Sequence, residues 1–275
     1  MKLFCDLHIH SCLSPCGDAL MTPNNIVGMA FIKQLDAIAV CDHNTARNLP
    51  AIQSVADMMG VVLLPGIEMT TREEAHMLAY FETVEKATAF SDVIYAHLPP
   101  IPNNAKFFGE QQLLNAQDEV VGTEERLLIS ALDLSFEDCA ALIHEHGGLC
   151  VPAHINRGSN GCLNALGFLP GGVDYDALEI SRAVAPPAMD VSGYRILHSS
   201  DAHYLEHILE PEFVIEAREK SVWALFDAIK GKSWQFSNRW LHVLHEFRQL
   251  MSNLWRNLCC YGIIGCLNLA IFICV

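Results

Sequence analysis

The chain has 275 residues, half of them hydrophobic, enough to bury the core of one large domain or two small ones. Its 32 acidic against 17 basic residues give a formal net charge of −15, so the bare surface repels polyanions. Long duplex DNA is thereby excluded as a partner unless a local cationic centre reverses the field.

The first strand-like run, "LFCDLHI", carries His8, with His10 two residues on. In an extended strand residues i and i+2 share a face, so the two imidazoles project side by side. Such a pair alone reads equally as one hydrogen-bonded core histidine and one exposed one, and the rest of the chain has to decide. A Ser/Pro/Gly loop follows, with Cys12, Cys16 and Asp18. Cys12 and Cys16 form a C-x3-C pair with the spacing to bind metal, but no second cysteine pair with ligand spacing completes a sulfur site, so the preferred reading is two small residues of a tight loop. "TPNNIVGMAFIKQ" predicts a helix with Thr22 as N-cap and Pro23 at its first position. The strand "LDAIAVCDH" ends on Asp42 and His43, the helix "RNLPAIQSVADMMG" follows, and the strand "VVLLPGIEM" closes on Glu68. His76 opens the next apolar strand.

From Ala96 to about Arg126 the rhythm breaks: paired prolines, an Asn-Asn turn and a hairpin around Gln117 and Asp118 mark an insertion. It is expected to cover the site and shape specificity, and its acidic residues oppose a long polyanion lying across it. A helix opened by Ser135 with Asp138 three residues on stops at Gly147 and Gly148. His144 and His146 face different ways near its end and read as surface residues. "LCVPAHI" then ends on His154, "DALEIS" follows, "YRILHSSDAH" brings Asp201 and His203, and "FVIEA" is the last strand. No charged and apolar leader precedes the first strand, so free thiols and a reducing, cytoplasmic compartment are expected for the 11 cysteines.

Repeated β-α units argue for a parallel barrel or a doubly wound sheet, and alternation alone does not separate them. Six segments nevertheless place an acid or imidazole at a comparable strand end, and in a barrel those ends share one face. Thirteen histidines and these carboxylates form the ligand set for zinc, manganese and iron.

The ordered motifs "DLHIHS", "AVCDHN", "PGIEMT", "PAHINR" and "SSDAH" resemble those of the PHP (polymerase and histidinol phosphatase) superfamily over residues 1 to about 204. The resemblance implies an α/β fold, a distorted (β/α)7 TIM-like barrel, holding two or three divalent ions (Mn, Zn or Fe) and hydrolysing phosphoesters. Carried over by position, it implies that His8, His10, Glu68 and Asp201 hold one metal. Glu68 then bridges to a second held with His76 and His154, and Asp18, His43 and His203 hold a third. His97 is an alternative to His76, which is preferred because it starts an apolar strand. Asp18, where some relatives have histidine, favours manganese or iron over zinc.

The expected nucleophile is a metal-bridging hydroxide, since coordination lowers the pKa of water from about 16 toward roughly 7. The ions would also leave a cationic pit for an anionic substrate in an acidic protein. Arg157 is a candidate to grip the phosphate, or equally an ordinary arginine of a polar loop. Asp42 is expected to orient His43 from behind or simply to turn the chain. Asn156 stands where related sequences more often show Asp.

The expected function is metal-dependent hydrolysis of a phosphoester in a small phosphorylated metabolite, nucleotide or short oligonucleotide. A non-catalytic metal-binding regulatory or accessory module is the alternative. Residues 1–232 are expected to form the phosphoesterase domain and 233–275 an amphipathic and apolar helical tail. Its last stretch, 258–275, has no charge and is read as a membrane anchor, a partner helix or a foreign extension. Oligomeric state is not set by the sequence.

Overall fold

A computed structural model describes residues 1–230 of the chain, and the tail 233–275, with the anchor expected at 258–275, lies outside the described residues. Strand β1 (Lys2–Ile9) is buried on both faces because the protein has two apolar layers. Leu3, Cys5 and Leu7 pack inward on Ala37, Ala39, Leu64 and Val151. Ile9 instead joins the layer between strands and helices, and β1 shifts register between Asp6 and Ile9. An irregularity of this kind re-aims side chains at a strand end.

Helix α1 (Pro23–Ile32) starts as the sequence predicts: Thr22 Oγ1 accepts the Asn25 amide and Pro23 takes the first turn. β2 (Ala37–Val40), α2 (Leu49–Met59) and β3 (Val62–Thr70) follow, α2 ending at Gly60 with φ +70°. β1, β2 and β3 run parallel. The apolar strand expected to open at His76 follows directly as β4 (His76–Tyr80), but it runs antiparallel to β3 where a β/α repeat would run parallel. Residues 71–75 form a tight turn, with Thr71 N donating to Ala75 O at 2.9 Å, and a parallel crossover needs a dozen residues or more. Because β4 runs back, its first residue His76 pairs with Thr70 at the end of β3.

Helix α3 (Val84–Tyr95) leads into the insertion, which holds α4 (Ala105–Phe108) and the hairpin β5 (Gln112–Leu114) and β6 (Val120–Thr123). The hairpin turn lies around Gln117 and Asp118, where turn residues place it. Asp118 Oδ2 accepts from Thr22 Oγ1 at 2.7 Å and Asn48 Oδ1 accepts the Leu114 amide at 3.0 Å. The insertion therefore clamps the start of α1 and α2; of the whole segment from Ala96 to Arg126, no residue lines the cavity that adjoins the centre described below.

Helix α5 (Phe136–Glu145) carries the Ser135/Asp138 capping box, and β7 (Leu149–Pro152) pairs antiparallel with β4. His144 bonds Asp176 at 3.0 Å and His146 bonds the Leu142 carbonyl, away from the strand ends. After α6 (Cys162–Ala165) come the short parallel strands β8 (Leu178–Glu179) and β9 (Ile196–Leu197). A 3₁₀ turn at Leu205–His207, β10 (Val214–Glu216) and α7 (Val222–Ile229) end the described chain. The six-stranded sheet has the order β10-β1-β2-β3-β4-β7 and curls as a half-barrel. Backbone bonds from Asp176 N to Cys150 O and from Ile155 N to Glu179 O join β7 to β8, while Ala202 bridges to Ile9 beside β1. Among the described residues no helix is long and apolar enough to cross a membrane.

Candidate metal centre

Glu68, fully buried at the end of β3, is the hub on which the strand ends converge. Its Oε1 lies 2.9 Å from His76 Nδ1, 3.2 Å from His154 Nε2 and 3.3 Å from His8 Nε2. Its Oε2 lies 3.1 Å from His43 Nδ1 and 3.3 Å from His10 Nε2. Asp201 Oδ1 adds a second carboxylate 3.1 Å from His10 Nε2 and 3.4 Å from His8 Nε2.

The donor atoms fall into three groups, each within 4.8 Å: His8, His10, Glu68 and Asp201; His43, Glu68 and His76; and His10, Cys16, His43 and His203. Eight of the nine residues singled out in the sequence as ligands are thus brought together, His154 through Glu68. Asp18 is the one that stands apart: its Oδ1 accepts the Leu20 amide at 2.9 Å, and Cys16 stands beside His43 instead. His97 bonds Asp133 at 2.7 Å and belongs to none of these groups.

Several buried atoms here face one another without hydrogen-bond geometry. His43 Nδ1, Glu68 Oε2, Asp201 Oδ1 and His154 Nδ1 are all buried and unpartnered in this sense. His43 Nδ1 and Glu68 Oε2 are 3.1 Å apart yet misaligned for a bond. Buried polar atoms are normally paired. Imidazole nitrogens and carboxylate oxygens converging on one point are the donor set of a divalent cation, so the residues fit such an ion.

A supporting layer fixes the rings. His8 Nδ1 bonds Glu179 Oε2 at 3.0 Å, and the same oxygen accepts the His154 amide at 2.9 Å. His10 Nδ1 bonds Ser14 Oγ at 2.9 Å, which donates to Asp42 Oδ1 at 2.7 Å. With Nδ1 of each ring held in this way, both Nε2 atoms are turned to the centre, where an ion would find them. Asp42 therefore orients His10 through Ser14, whereas the sequence suggested His43; it also accepts the amide and hydroxyl of Ser11. Glu179 escaped the sequence reading, although it ends "DALE" as Glu68 ends its own strand. Strain gathers at the same place: His154 has φ +27° and Asp201 φ +54°, in the left-handed region that β-carbons disfavour. Beneath the His154 loop, a Cβ on Gly161 would meet the carbonyl oxygens of Arg157, His154 and Ile155 at 2.7–3.0 Å.

Burial works against the charged forms, and neighbours decide the outcome. His8 is desolvated, yet Glu179, Glu68 and Asp201 hold its pKa well above the ordinary value. His10, equally buried, is pushed up to about 9 by Asp201 and Glu68. Burial and the other imidazoles drive His43 well below the usual value and His203 down to about 4. Glu68 resists its own desolvation because His76 and His8 stabilise the carboxylate, and Asp201 is held low by His8 and His10. Burial raises the Cys16 thiol, as do Glu68 and Asp201.

A cavity of about 180 Å³ adjoins the centre, lined by Cys16, His43, Glu68, His154, Asp201 and His203 and also by Ser159, Asn160, Arg157 and Ile129. Arg157 Nη1 pairs with Asp201 Oδ2, so this arginine belongs to the site. Asn156 pins the segment 181–185 through the Ser181 and Ala185 carbonyls.

No family model matches the chain. A 5'-3' exoribonuclease from Haemophilus influenzae is 32% identical over 69 residues, 25% of this chain and 24% of that protein, so the match spans about a quarter of the curated relative. Two solved structures share the fold. One is a lesion-specific endonuclease from Pyrococcus furiosus, with TM-score 0.62 and 20% identity, covering 85% of this chain and 57% of that one. The other is endonuclease Q in complex with a 27-mer duplex carrying an abasic lesion at its active site, with TM-score 0.64 and 22% identity over 85% and 58%.

Proposed function

We propose that this chain, which has a PHP-type fold, hydrolyses phosphoesters with divalent cations held around Glu68. The observation that carries the reading is the set of buried donors on Glu68 and Asp201 whose lone pairs find no hydrogen bond within the chain. His8, His10, Glu68 and Asp201 would hold one ion, with His76 and His154 joining Glu68 on a second and His43 and His203 on a third. Bound ions supply Lewis acidity to a phosphoryl oxygen and acidify water.

The chain's own residues do the rest. Glu179 and the Ser14–Asp42 pair keep a proton on the Nδ1 atoms of His8 and His10, so each ring offers Nε2 at a fixed angle. Arg157, tied to Asp201 and lining the cavity with Asn160 and Ser159, would donate N–H bonds to a pair of phosphate oxygens. The cavity is smaller than the ~300–1,000 Å³ of sites that enclose drug-sized ligands. It therefore suits a phosphoryl group at the end of a substrate, with the remainder outside.

The substrate class we favour is a nucleotide or short oligonucleotide, in keeping with the exoribonuclease match and the endonuclease neighbours. The acidic surface speaks against long duplex DNA lying across this chain alone, and the complex with duplex DNA belongs to an endonuclease of which it spans 58%. We take residues 1–232 as the catalytic domain and the curled sheet with β8 and β9 as a distorted (β/α)7 barrel.

A panel of phosphomonoesters, nucleotides and short RNA and DNA oligomers, incubated with manganese, zinc or ferrous iron, tests the reading. Hydrolysis abolished by chelation and by His8→Ala is expected. Activity that survives both removes the metal mechanism, and binding of metal without turnover of any substrate favours a regulatory module.

A further inference from the structure

We infer that Cys16, and not Asp18, completes the outer cation site, its thiolate joining His43 and His203. This inference rests on the metal-centred reading above and adds to it the ligand that selects the ion. Cys16 is exposed as a residue, yet its Sγ lies 3.2 Å from His43 Nε2 and falls within the 4.8 Å group formed with His10 and His203. His43 is 2% exposed and its other nitrogen is unpartnered, so the ring is fixed by burial with Nε2 aimed at the sulfur.

The loop is built to bring the thiol there. Ser14 N bonds Ser11 O and Gly17 N bonds Ser14 O, two successive turns that fold residues 11–17 back over His10. Gly17 is required by that fold, because a Cβ there would lie 2.3 Å from the Ser11 carbonyl oxygen. Asp18 contributes its backbone instead: its amide donates to the His203 carbonyl at 2.9 Å and its carboxylate is taken by Leu20.

One thiolate with two imidazoles is a sulfur and nitrogen set of the kind zinc takes with a further position left open, and a soft sulfur favours zinc or iron over manganese. This reverses the preference that an aspartate at the site would give. When the ion binds, the thiol gives its proton to solvent as the sulfur–metal bond forms, with no change of oxidation state.

Cobalt(II) titrated alone into the full chain provides a readout independent of turnover, because thiolate ligation gives an intense near-ultraviolet charge-transfer band. The band is expected in the wild type, in Asp18→Ala and in Cys12→Ser, and is expected to vanish in Cys16→Ser. Zinc affinity of the outer site should fall by about 10-fold or more in Cys16→Ser. Unchanged melting of that variant would show that the fold is kept. A band that persists in Cys16→Ser, or cobalt bound to the wild type without a band, overturns the thiolate assignment and leaves the phosphoesterase reading standing. A wild-type chain that binds no cobalt at equilibrium dialysis overturns both.

Discussion

Of the three glutamates buried among the described residues, Glu124 and Glu68 are satisfied in different ways. Glu124, at the end of the insertion hairpin, accepts from Arg47 Nη1 at 2.6 Å, the Tyr95 hydroxyl at 2.9 Å and the Arg126 amide at 3.0 Å. Every neighbour is a donor, one is a cation, and Arg126 lies 4.4 Å over the Tyr95 ring to close the network. Glu68 sits among five imidazoles: His76 and His154 bond its Oε1, while its Oε2, 3.1 Å from His43 Nδ1 and 3.3 Å from His10 Nε2, finds no hydrogen bond. Glu124 has a donor for each oxygen, whereas Glu68 keeps one oxygen open among imidazoles, where a bound cation would supply the missing partner.

The largest effect should come from exchanging the two roles. Glu68→Gln is expected to cost more than about 100-fold in metal affinity and turnover while the fold persists. Glu124→Gln should leave turnover near wild type and lower unfolding free energy by about 1–3 kcal/mol, since a charge-assisted bond weakens and Arg47 is half exposed. Chelator competition and urea denaturation on both variants check this, and equal losses of metal in the two would break the contrast. One step out, Glu179→Gln should weaken metal binding by about 10–100-fold through the orientation of His8, with Asp42→Asn at the lower end of that range. A competition titration that finds either variant indistinguishable from wild type would confine the centre to its direct ligands.

Gly161→Ala sharpens the comparison differently, because it touches no donor. The added methyl meets three carbonyl oxygens, so the His154 loop must shift, at about 1–3 kcal/mol of stability and with reduced turnover. Calorimetry and steady-state rates on one preparation measure both. The smallest effect concerns pH. His10 is held at about 9 in the folded chain against about 6.5 unfolded, so its contribution to stability is full below the lower value and is lost as pH rises through the higher one. Metal-stripped protein should therefore melt lower as pH passes 9, whereas an ion that has displaced the proton should flatten that slope. Parallel slopes with and without zinc would contradict the overlap of proton and ion on this ring.

Most of the centre was legible because one-dimensional spacing maps onto strand ends. His8, His43, Glu68 and His154 each close a strand-like run, and parallel or antiparallel strands that share a sheet bring such ends together. Helix caps at Thr22 and Ser135 were legible for the same local reason. What escaped was set by the third dimension. Cys16 and Asp18 are both loop residues, and only the double turn held by Gly17 decides which faces His43. Glu179 lies in "DALEIS", which reads as a strand, but only the fold brings that residue against His8. The strand opening at His76 was legible, but its reversal was not, because "TREEAH" lacks the glycine or proline that marks most tight turns; Glu74 adopts φ +62° there without them. The insertion's role as a clamp depends on Asp118 meeting Thr22, 96 residues away in sequence.

Metal content per chain, read by plasma mass spectrometry after saturation with zinc, manganese or ferrous iron and exhaustive dialysis, bears most directly on the central claim. More than one ion retained by the wild type, with loss in Glu68→Gln and none in Glu124→Gln, is the predicted result. A wild-type chain that leaves dialysis free of metal under all three conditions would contradict it.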